Sequence, residues 1–169
     1  MYAHYEETKF ELQDHDPRLK YNFPKSVFAA ASFNLGPQTV TRVHTDHMNY
    51  AAGWCGIMAL GNYDYHTGGH LVLWDLKLVI EFPPGTVVFI PSAILRHSNT
   101  VIGDDETRMS FTQFSAGGLF RWVECGHQTQ KAFFANGGKY PITGTQRWLR
   151  GIQRFSRWSE LQRATSMRR

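Results

Sequence analysis

The chain has 169 residues, of which 42% are apolar and 19% are charged, and its formal net charge is +4. This length suits one domain, and the apolar fraction is high enough for a packed core, which argues against a disordered chain. No apolar run reaches the roughly 18 residues that a membrane-spanning helix needs, so no membrane partner is expected. The two cysteines, Cys55 and Cys125, are too few for a disulfide scaffold, and an intracellular location is the default expectation.

Residues 1–26 are mixed in character and interrupted by prolines, which predicts an irregular lead-in. Eight short β-type runs follow, each bounded by glycine, proline or other turn residues. They cover residues 26–35, 39–46, 54–60, 70–76, 78–82, 86–91, 94–100 and 107–114. Because no helical pattern separates these runs, they predict an antiparallel sandwich or barrel rather than alternating strands and helices.

A helical pattern first occurs around residues 145–163, within a basic segment, 121–169, that holds 10 Lys/Arg and only 2 Asp/Glu. At helical spacing, one face is basic and the opposite face is apolar. The faces consist of Arg147, Arg150, Arg154 and Arg157, and of Trp148, Leu149, Ile152 and Phe155, respectively. Two interpretations remain open: a helix that packs on the barrel with a solvated basic face, or a surface that binds nucleic acid or another acidic partner.

Three residues with metal-binding side chains stand out among the β-type runs. His44 and Asp46 lie two residues apart at the end of the second run, and His97 lies on the seventh run after fifty intervening residues. Residues i and i+2 of a strand point to the same side, so His44 and Asp46 can share one ligand. Two imidazoles and one carboxylate form the facial ligand set of non-haem Fe(II), which leaves other coordination positions open.

Arg108 and Ser110 follow His97 after ten more residues and share one face of the last run. A guanidinium next to a hydroxyl suits a carboxylate that accepts two hydrogen bonds. A zinc hydrolase could use the same three metal ligands, but it has no need of such a carboxylate site.

The complete pattern, H-x-D, then H, then R-x-S, resembles the 2-oxoglutarate-dependent Fe(II) dioxygenases over about residues 27–120. The segment Gly68–Leu71 is similar to the GG-x-L strand entry of that family, and Pro84–Ser92 is similar to the run that precedes its second histidine. The resemblance implies a mainly β, double-stranded β-helix (jelly-roll) core at 27–120. The lead-in, 1–26, precedes this core, and a basic extension with a helix, 121–169, follows it.

The resemblance also implies the chemistry. His44, Asp46 and His97 would hold the catalytic Fe(II), and Arg108 would bind the distal carboxylate of 2-oxoglutarate with help from Ser110. O₂ would take the last position on the metal. The same chemistry on a small metabolite or a protein side chain, and a metal-binding barrel without turnover, remain as alternatives.

Two segments resemble the TET/JBP-like subfamily, particularly its paralogues in mushroom genomes, which implies oxidation of a methylated base in DNA and a nuclear location. The segments are His44–Asn49, as H-x-D-x-x-N, and Thr107–Ser110, as T-R-x-S. Asn49 is predicted either to contact a base edge of the substrate or to cap the turn after the metal motif. Animal members have a histidine where this chain has Ala116, and they have a cysteine-rich zinc region that two cysteines cannot build.

Overall fold

The computed structural model describes residues 1–166 and contains, within them, seven β-strands in two antiparallel sheets. The strands are β1 (Ala30–Asn34), β2 (Cys55–Asn62), β3 (Leu71–Leu73), β4 (Leu78–Ile80), β5 (Val87–Ile90), β6 (His97–Asn99) and β7 (Thr107–Phe114). The larger sheet has the order β1-β7-β2-β5, and the smaller sheet has the order β4-β3-β6. Most neighbouring strands are distant in the sequence, as in a jelly roll. The predicted fold, a mainly β double-stranded β-helix, is confirmed.

Alternation along β7 separates an inner from an outer surface of the larger sheet. Arg108, Ser110 and Thr112 line a cavity between the two sheets, whereas Phe111 and Gln113 line a groove on the outside. This outer groove is mainly apolar and has a volume of about 1030 Å³. The polar residues Arg108, Ser110 and Thr112 of β7 therefore face the inner cavity.

Part of the space between the sheets is filled by a hydrophobic cluster. Its buried members are Ala59, Tyr63, Leu71, Leu73, Phe82 and Ile90. The hydroxyl of Tyr63 donates a hydrogen bond to the carbonyl of Phe82, so the one polar group of this cluster is satisfied. The cluster closes that part of the barrel and leaves the rest as a polar cavity.

The run 39–46, predicted as the second strand, is not a regular strand. It contains one isolated bridge, at His44, and a second bridge is formed by Gln38 just before it. The side chain of Asn99 takes the place of a strand ladder, since its oxygen accepts from the Thr41 amide at 2.8 Å and its nitrogen donates to the Thr39 carbonyl at 3.1 Å. This segment is therefore held by a side chain, which hydrophobic alternation cannot reveal.

The prediction that residues 1–26 are irregular is wrong for their first half, where α1 spans Tyr2–His15. Its buried residues, Tyr5, Thr8 and Leu12, follow helical spacing, but Thr8 is polar and the stripe is too narrow to produce a clear apolar face. Tyr5 anchors the helix, because its hydroxyl donates to the Trp54 carbonyl at 3.2 Å and accepts from the Trp54 amide at 3.0 Å.

The basic extension contains several short helices instead of one. They are α2 (Gly117–Glu124), α3 (Gln130–Ala135), α4 (Gly144–Ile152) and α5 (Trp158–Ser166). A capping box between Thr143 and Gln146 starts α4, and the chain leaves the helix after Ile152. Arg168 and Arg169 of the basic segment lie outside the described residues. No helix within residues 1–166 is long and apolar enough to cross a membrane.

The packing of α4 differs from the one that its amphipathic pattern predicts. Gly151 is buried against Ala52, and a Cβ atom at this glycine would lie 2.9 Å from the Ala52 Cβ. One turn before this glycine, the partly exposed Arg147 pairs with Glu124 at 2.7 Å. Three of the predicted apolar residues, Trp148, Leu149 and Ile152, are exposed, whereas Phe155, beyond the end of α4, packs edge-to-face on Trp54.

Candidate metal centre

The predicted metal-binding residues lie together at one end of the cavity. His44 and His97 form an isolated antiparallel bridge, in which each backbone amide donates to the other carbonyl, at 3.1 and 2.9 Å. The amide of Asp46 donates to the carbonyl of Ser92 at 2.9 Å, in the loop just before β6. Backbone hydrogen bonds between two segments that are distant in the sequence thus fix the positions of the three residues.

The donor atoms of these three side chains are close enough to share one ion. The Nε2 atom of His44 lies 3.5 Å from Oδ1 of Asp46, and the Nε2 atom of His97 lies 4.0 Å from Oδ2 of the same carboxylate. All three donors lie within 4.8 Å of one another. Donors bound at roughly 2.1 Å to one divalent ion lie roughly 3 to 3.4 Å apart, so small side-chain rotations complete the site. The donor set fits a first-row metal.

Both imidazoles present the Nε2 atom to the cavity in the form that binds a metal. The Nδ1 atom of His44 lies 2.8 Å from the Arg42 carbonyl, and that of His97 lies 2.9 Å from the Leu95 carbonyl. A carbonyl only accepts, so each Nδ1 carries the proton and each Nε2 keeps its lone pair. Burial and the neighbouring His44 lower the pKa of His97, and the hydrogen bond to Leu95 and the Asp46 carboxylate oppose this only in part. A neutral, ligating His97 is thereby favoured.

Arg108 provides the cationic group of the cavity. It is 3% exposed, and no carboxylate within residues 1–166 forms an ion pair with it. One guanidinium nitrogen, Nη1, donates to the Thr39 carbonyl at 3.2 Å, but the buried Nε has no hydrogen-bond partner. Burial lowers the pKa of Arg108, which the hydroxyl of Tyr63 partly opposes. A buried guanidinium without a counter-charge destabilises the folded protein unless a bound anion pairs with it.

Ser110 lies next to Arg108 on the inner face of β7. Its hydroxyl oxygen accepts from Asn34 Nδ2 at 2.9 Å, which leaves the hydroxyl hydrogen for a further acceptor. The metal-binding group and the Arg108–Ser110 pair line one cavity of about 330 Å³. A single small molecule can therefore contact both.

Asn49 lies behind the carboxylate of Asp46. Its side-chain nitrogen donates to Oδ2 of Asp46 at 3.3 Å and to the hydroxyl of Ser92 at 3.2 Å, and its backbone amide donates to the Asp46 carbonyl at 2.8 Å. This arrangement corresponds to the turn-capping alternative. Contact with a substrate stays a prediction, and only the amide oxygen of Asn49 is left for it.

Three polar residues around this centre have no role in the sequence-based interpretation. Ser92 bonds the Asn49 amide, Asn99 holds the segment before His44, and Asn34 bonds Ser110. Ser92 is the last residue of the proline-containing run that resembles the dioxygenases. This position was the one signal in the sequence that could have indicated a role for Ser92. Asn34 and Asn99 act across more than fifty residues of sequence, and no local pattern marks them.

The basic extension contacts the loop that follows the metal-binding motif. Nη1 of Arg154 donates to the hydroxyl of Tyr50 at 2.6 Å, and the ring of Tyr50 stacks on Phe120 with centroids 3.9 Å apart. Part of the predicted basic face is thus used inside the protein. The backbone of Ala116 forms an isolated bridge with Asn49, which places an alanine and not a histidine beside this loop.

Comparison with known proteins gives similarity at the level of solved structures. No protein-family model and no curated protein matches the chain. NgTET1 in complex with 5mC DNA is 21% identical with a TM-score of 0.47, covering 53% of this chain and 34% of its own. The viral collagen prolyl hydroxylase vCPH from Paramecium bursaria Chlorella virus-1, solved with 2OG, is 14% identical with a TM-score of 0.36, covering 64% and 69% of the two chains.

An RmlC-like cupin protein from Desulfovibrio desulfuricans is 16% identical with a TM-score of 0.32, covering 57% of this chain and 94% of its own. The match to NgTET1 spans about a third of the length of that protein. The chain is similar to these three solved structures. The description of its fold as a double-stranded β-helix rests on its own strand order and register.

Proposed function

We propose that the protein is an Fe(II)- and 2-oxoglutarate-dependent dioxygenase. The observation that carries this proposal is the buried Arg108, which has an unpaired Nε and no counter-ion within residues 1–166, in the same cavity as the two histidines and Asp46. A dianionic keto acid satisfies both ends of such a cavity at once, through its distal carboxylate at Arg108 and its keto-acid end at the metal.

Each group of the chain has a defined task in this proposal. His44, Asp46 and His97 hold Fe(II), which when bound supplies the redox chemistry that couples O₂ and the decarboxylation of 2-oxoglutarate to substrate oxidation. Arg108 and the Ser110 hydroxyl orient the cosubstrate by hydrogen bonds. Because Arg108 is buried, water competes little for these bonds, which strengthens them.

The same observation separates this function from the alternatives. A zinc hydrolase with the ligands His44, Asp46 and His97 has no use for a buried, unpaired arginine. A metal-binding barrel without turnover would keep a costly charge that performs no task. Neither alternative accounts for Arg108.

The test is aerobic incubation of the protein with Fe(II), 2-oxoglutarate and DNA duplexes that carry methylated bases. Mass spectrometry then quantifies succinate and the digested nucleosides. We expect succinate together with an oxidised or demethylated base. Succinate with unchanged DNA supports dioxygenase activity and indicates that the substrate is RNA, a protein side chain or a metabolite instead. Succinate no higher than in the His44→Ala variant contradicts the proposed function.

A methylated base in nucleic acid is the substrate class that we propose, with a nuclear location if the nucleic acid is DNA. The H-x-D-x-x-N and T-R-x-S segments support it through their resemblance to the TET/JBP-like subfamily. The extension supports it through charge, because its arginines at 150, 157 and 163 are exposed and form no ion pair within residues 1–166. A base inside a duplex must be flipped out of the stack to reach the cavity.

Replacing Arg150, Arg157 and Arg163 together with glutamine should weaken binding to duplex DNA and flatten its salt dependence. Each phosphate contact contributes roughly −0.9 to the slope of log K against log salt, so the loss of three contacts changes the slope by about 2.7. Fluorescence anisotropy at several salt concentrations measures this. The control is Lys77→Gln, which removes an exposed charge outside the extension. Equal slopes for the triple variant and the native chain contradict a role of the extension in DNA binding.

A further inference from the structure

We propose that Asn49 is a positioning residue, which holds one oxygen of the Asp46 carboxylate so that the other faces the metal. This inference rests on the proposed metal site but does not depend on the identity of the substrate. It gives Asn49 a different role from the contact with a base edge that the sequence suggests.

The first support is the hydrogen bonding of the Asn49 amide. Both of its N–H groups are engaged, one with Oδ2 of Asp46 at 3.3 Å and the other with Oγ of Ser92 at 3.2 Å. A carboxylate can only accept, so the nitrogen of the amide, and not its oxygen, must face Asp46. Recognition of a base edge by an amide needs a donor and an acceptor together. Asn49 can offer only the acceptor while it holds Asp46.

The second support is the division of the Asp46 carboxylate. Its Oδ1 lies 3.5 Å from Nε2 of His44, whereas Oδ2 lies 4.0 Å from Nε2 of His97 and also receives the bond from Asn49. Both oxygens therefore lie near the other ligands, but Oδ2 is tied to the protein, whereas Oδ1 forms no hydrogen bond within residues 1–166. This favours one ligating oxygen, which leaves positions on the metal for the cosubstrate and O₂.

The third support is the rigidity of the unit that carries Asn49. Ser92 is 1% exposed, and its carbonyl accepts from the Asp46 amide at 2.9 Å. The backbone of Asn49 bridges Ala116, just after β7. Asn49 is thus held at its side chain by Ser92 and at its backbone by the segment after β7.

The experiment is a titration of the metal-free protein with Mn(II), followed by electron paramagnetic resonance of the free ion. We expect Asn49→Ala to weaken Mn(II) binding roughly 10- to 100-fold, the range found when a partner of a metal ligand is removed. The matched control is His47→Ala, which truncates an exposed side chain of the same loop and should leave the affinity unchanged. The affinity of the Mn(II)-loaded protein for 2-oxoglutarate should stay within about twofold, because Arg108 is intact.

Ser92→Ala provides a second test, and by itself it leaves Asn49 in place. Ser92 acts on Asp46 through the Asn49 side chain, so its variant should weaken Mn(II) binding less, and the double variant should bind like Asn49→Ala alone. Additive effects of the two changes overturn the proposed chain of contacts.

The outcomes distinguish this inference from the proposed function. An unchanged Mn(II) affinity in Asn49→Ala, with turnover reduced only through the substrate, overturns the positioning role and favours substrate contact. A weakened Mn(II) affinity supports the positioning role even when the native chain forms no succinate, which would contradict the proposed function alone. A native chain that binds no Mn(II) overturns both.

Discussion

Replacing Arg108 with methionine should stabilise the ligand-free protein and strongly weaken its binding of 2-oxoglutarate. The variant removes a buried charge that has no counter-ion within residues 1–166 and a Nε atom without a partner. The Thr39 carbonyl loses the bond from Nη1 but keeps the one from Asn99 Nδ2. An unsatisfied buried polar group costs about 1–3 kcal/mol, so we expect the free energy of unfolding in urea to rise by that amount.

The effect on the cosubstrate should be larger. Removing one partner of a buried ion pair costs at least about 3 kcal/mol. This corresponds to a roughly 100-fold weaker affinity for 2-oxoglutarate. Calorimetric titration of the Mn(II)-loaded protein measures it. Arg108→Lys keeps the charge but loses the planar fork of donors, and should bind about 10-fold more weakly than the native chain.

Arg96→Met is the matched control for the Arg108 variants. Arg96 is an exposed arginine that pairs with Asp75 at 2.7 Å, so its loss should change the free energy of unfolding by less than about 1 kcal/mol and leave the affinity for 2-oxoglutarate unchanged. Native affinity in Arg108→Met contradicts the anion site. A free energy of unfolding that is lower in Arg108→Met than in the native chain contradicts the claim that Arg108 lacks a counter-charge.

Asp46→Asn should bind metal more than about 100-fold more weakly, because the loss of a ligand must exceed the 10- to 100-fold effect of losing a ligand's partner. The change is isosteric and removes the only carboxylate of the metal-binding group. Succinate formation should fall at least as far. Mn(II) titration and the mass-spectrometric assay provide the two measurements.

Thermal stability gives an independent readout of the same site. An ion at 100 times its dissociation constant stabilises the native chain by about 2.7 kcal/mol, and chelation with EDTA should reverse this. Asp46→Asn should show neither effect, whereas His47→Ala, which keeps all three ligands, should show both. A metal-dependent melting temperature that survives in Asp46→Asn contradicts the assignment of Asp46 as a ligand.

The candidate site residues of the core could be predicted because they follow strand periodicity. The run 107–114 matches β7 in both bounds, and a period of two puts Arg108 and Ser110 on one face without any knowledge of the partner strands. The same spacing relates His44 and Asp46. These relations are local, so they survive even where the segment 39–46 fails to form a regular strand.

The extension shows where local pattern misleads. Its helical spacing predicts an apolar face that packs inward, but α4 leaves Trp148, Leu149 and Ile152 exposed and buries Gly151 against Ala52. Likewise, α1 is hidden from a sequence pattern because its anchor is a hydrogen-bonded pair between Tyr5 and Trp54 rather than a broad apolar stripe. Tertiary contacts outweigh intrinsic preference in both cases.

The sequence by itself determined the fold class, the grouping of His44, Asp46 and His97, and the pairing of Arg108 with Ser110. Only the tertiary structure decided that Arg108 has no counter-ion within residues 1–166 and that the Asn49 amide is engaged by Asp46 and Ser92. The physical reason is range. Alternation along a strand is set by neighbouring residues, whereas burial and hydrogen-bond satisfaction depend on groups that folding brings together from distant parts of the chain.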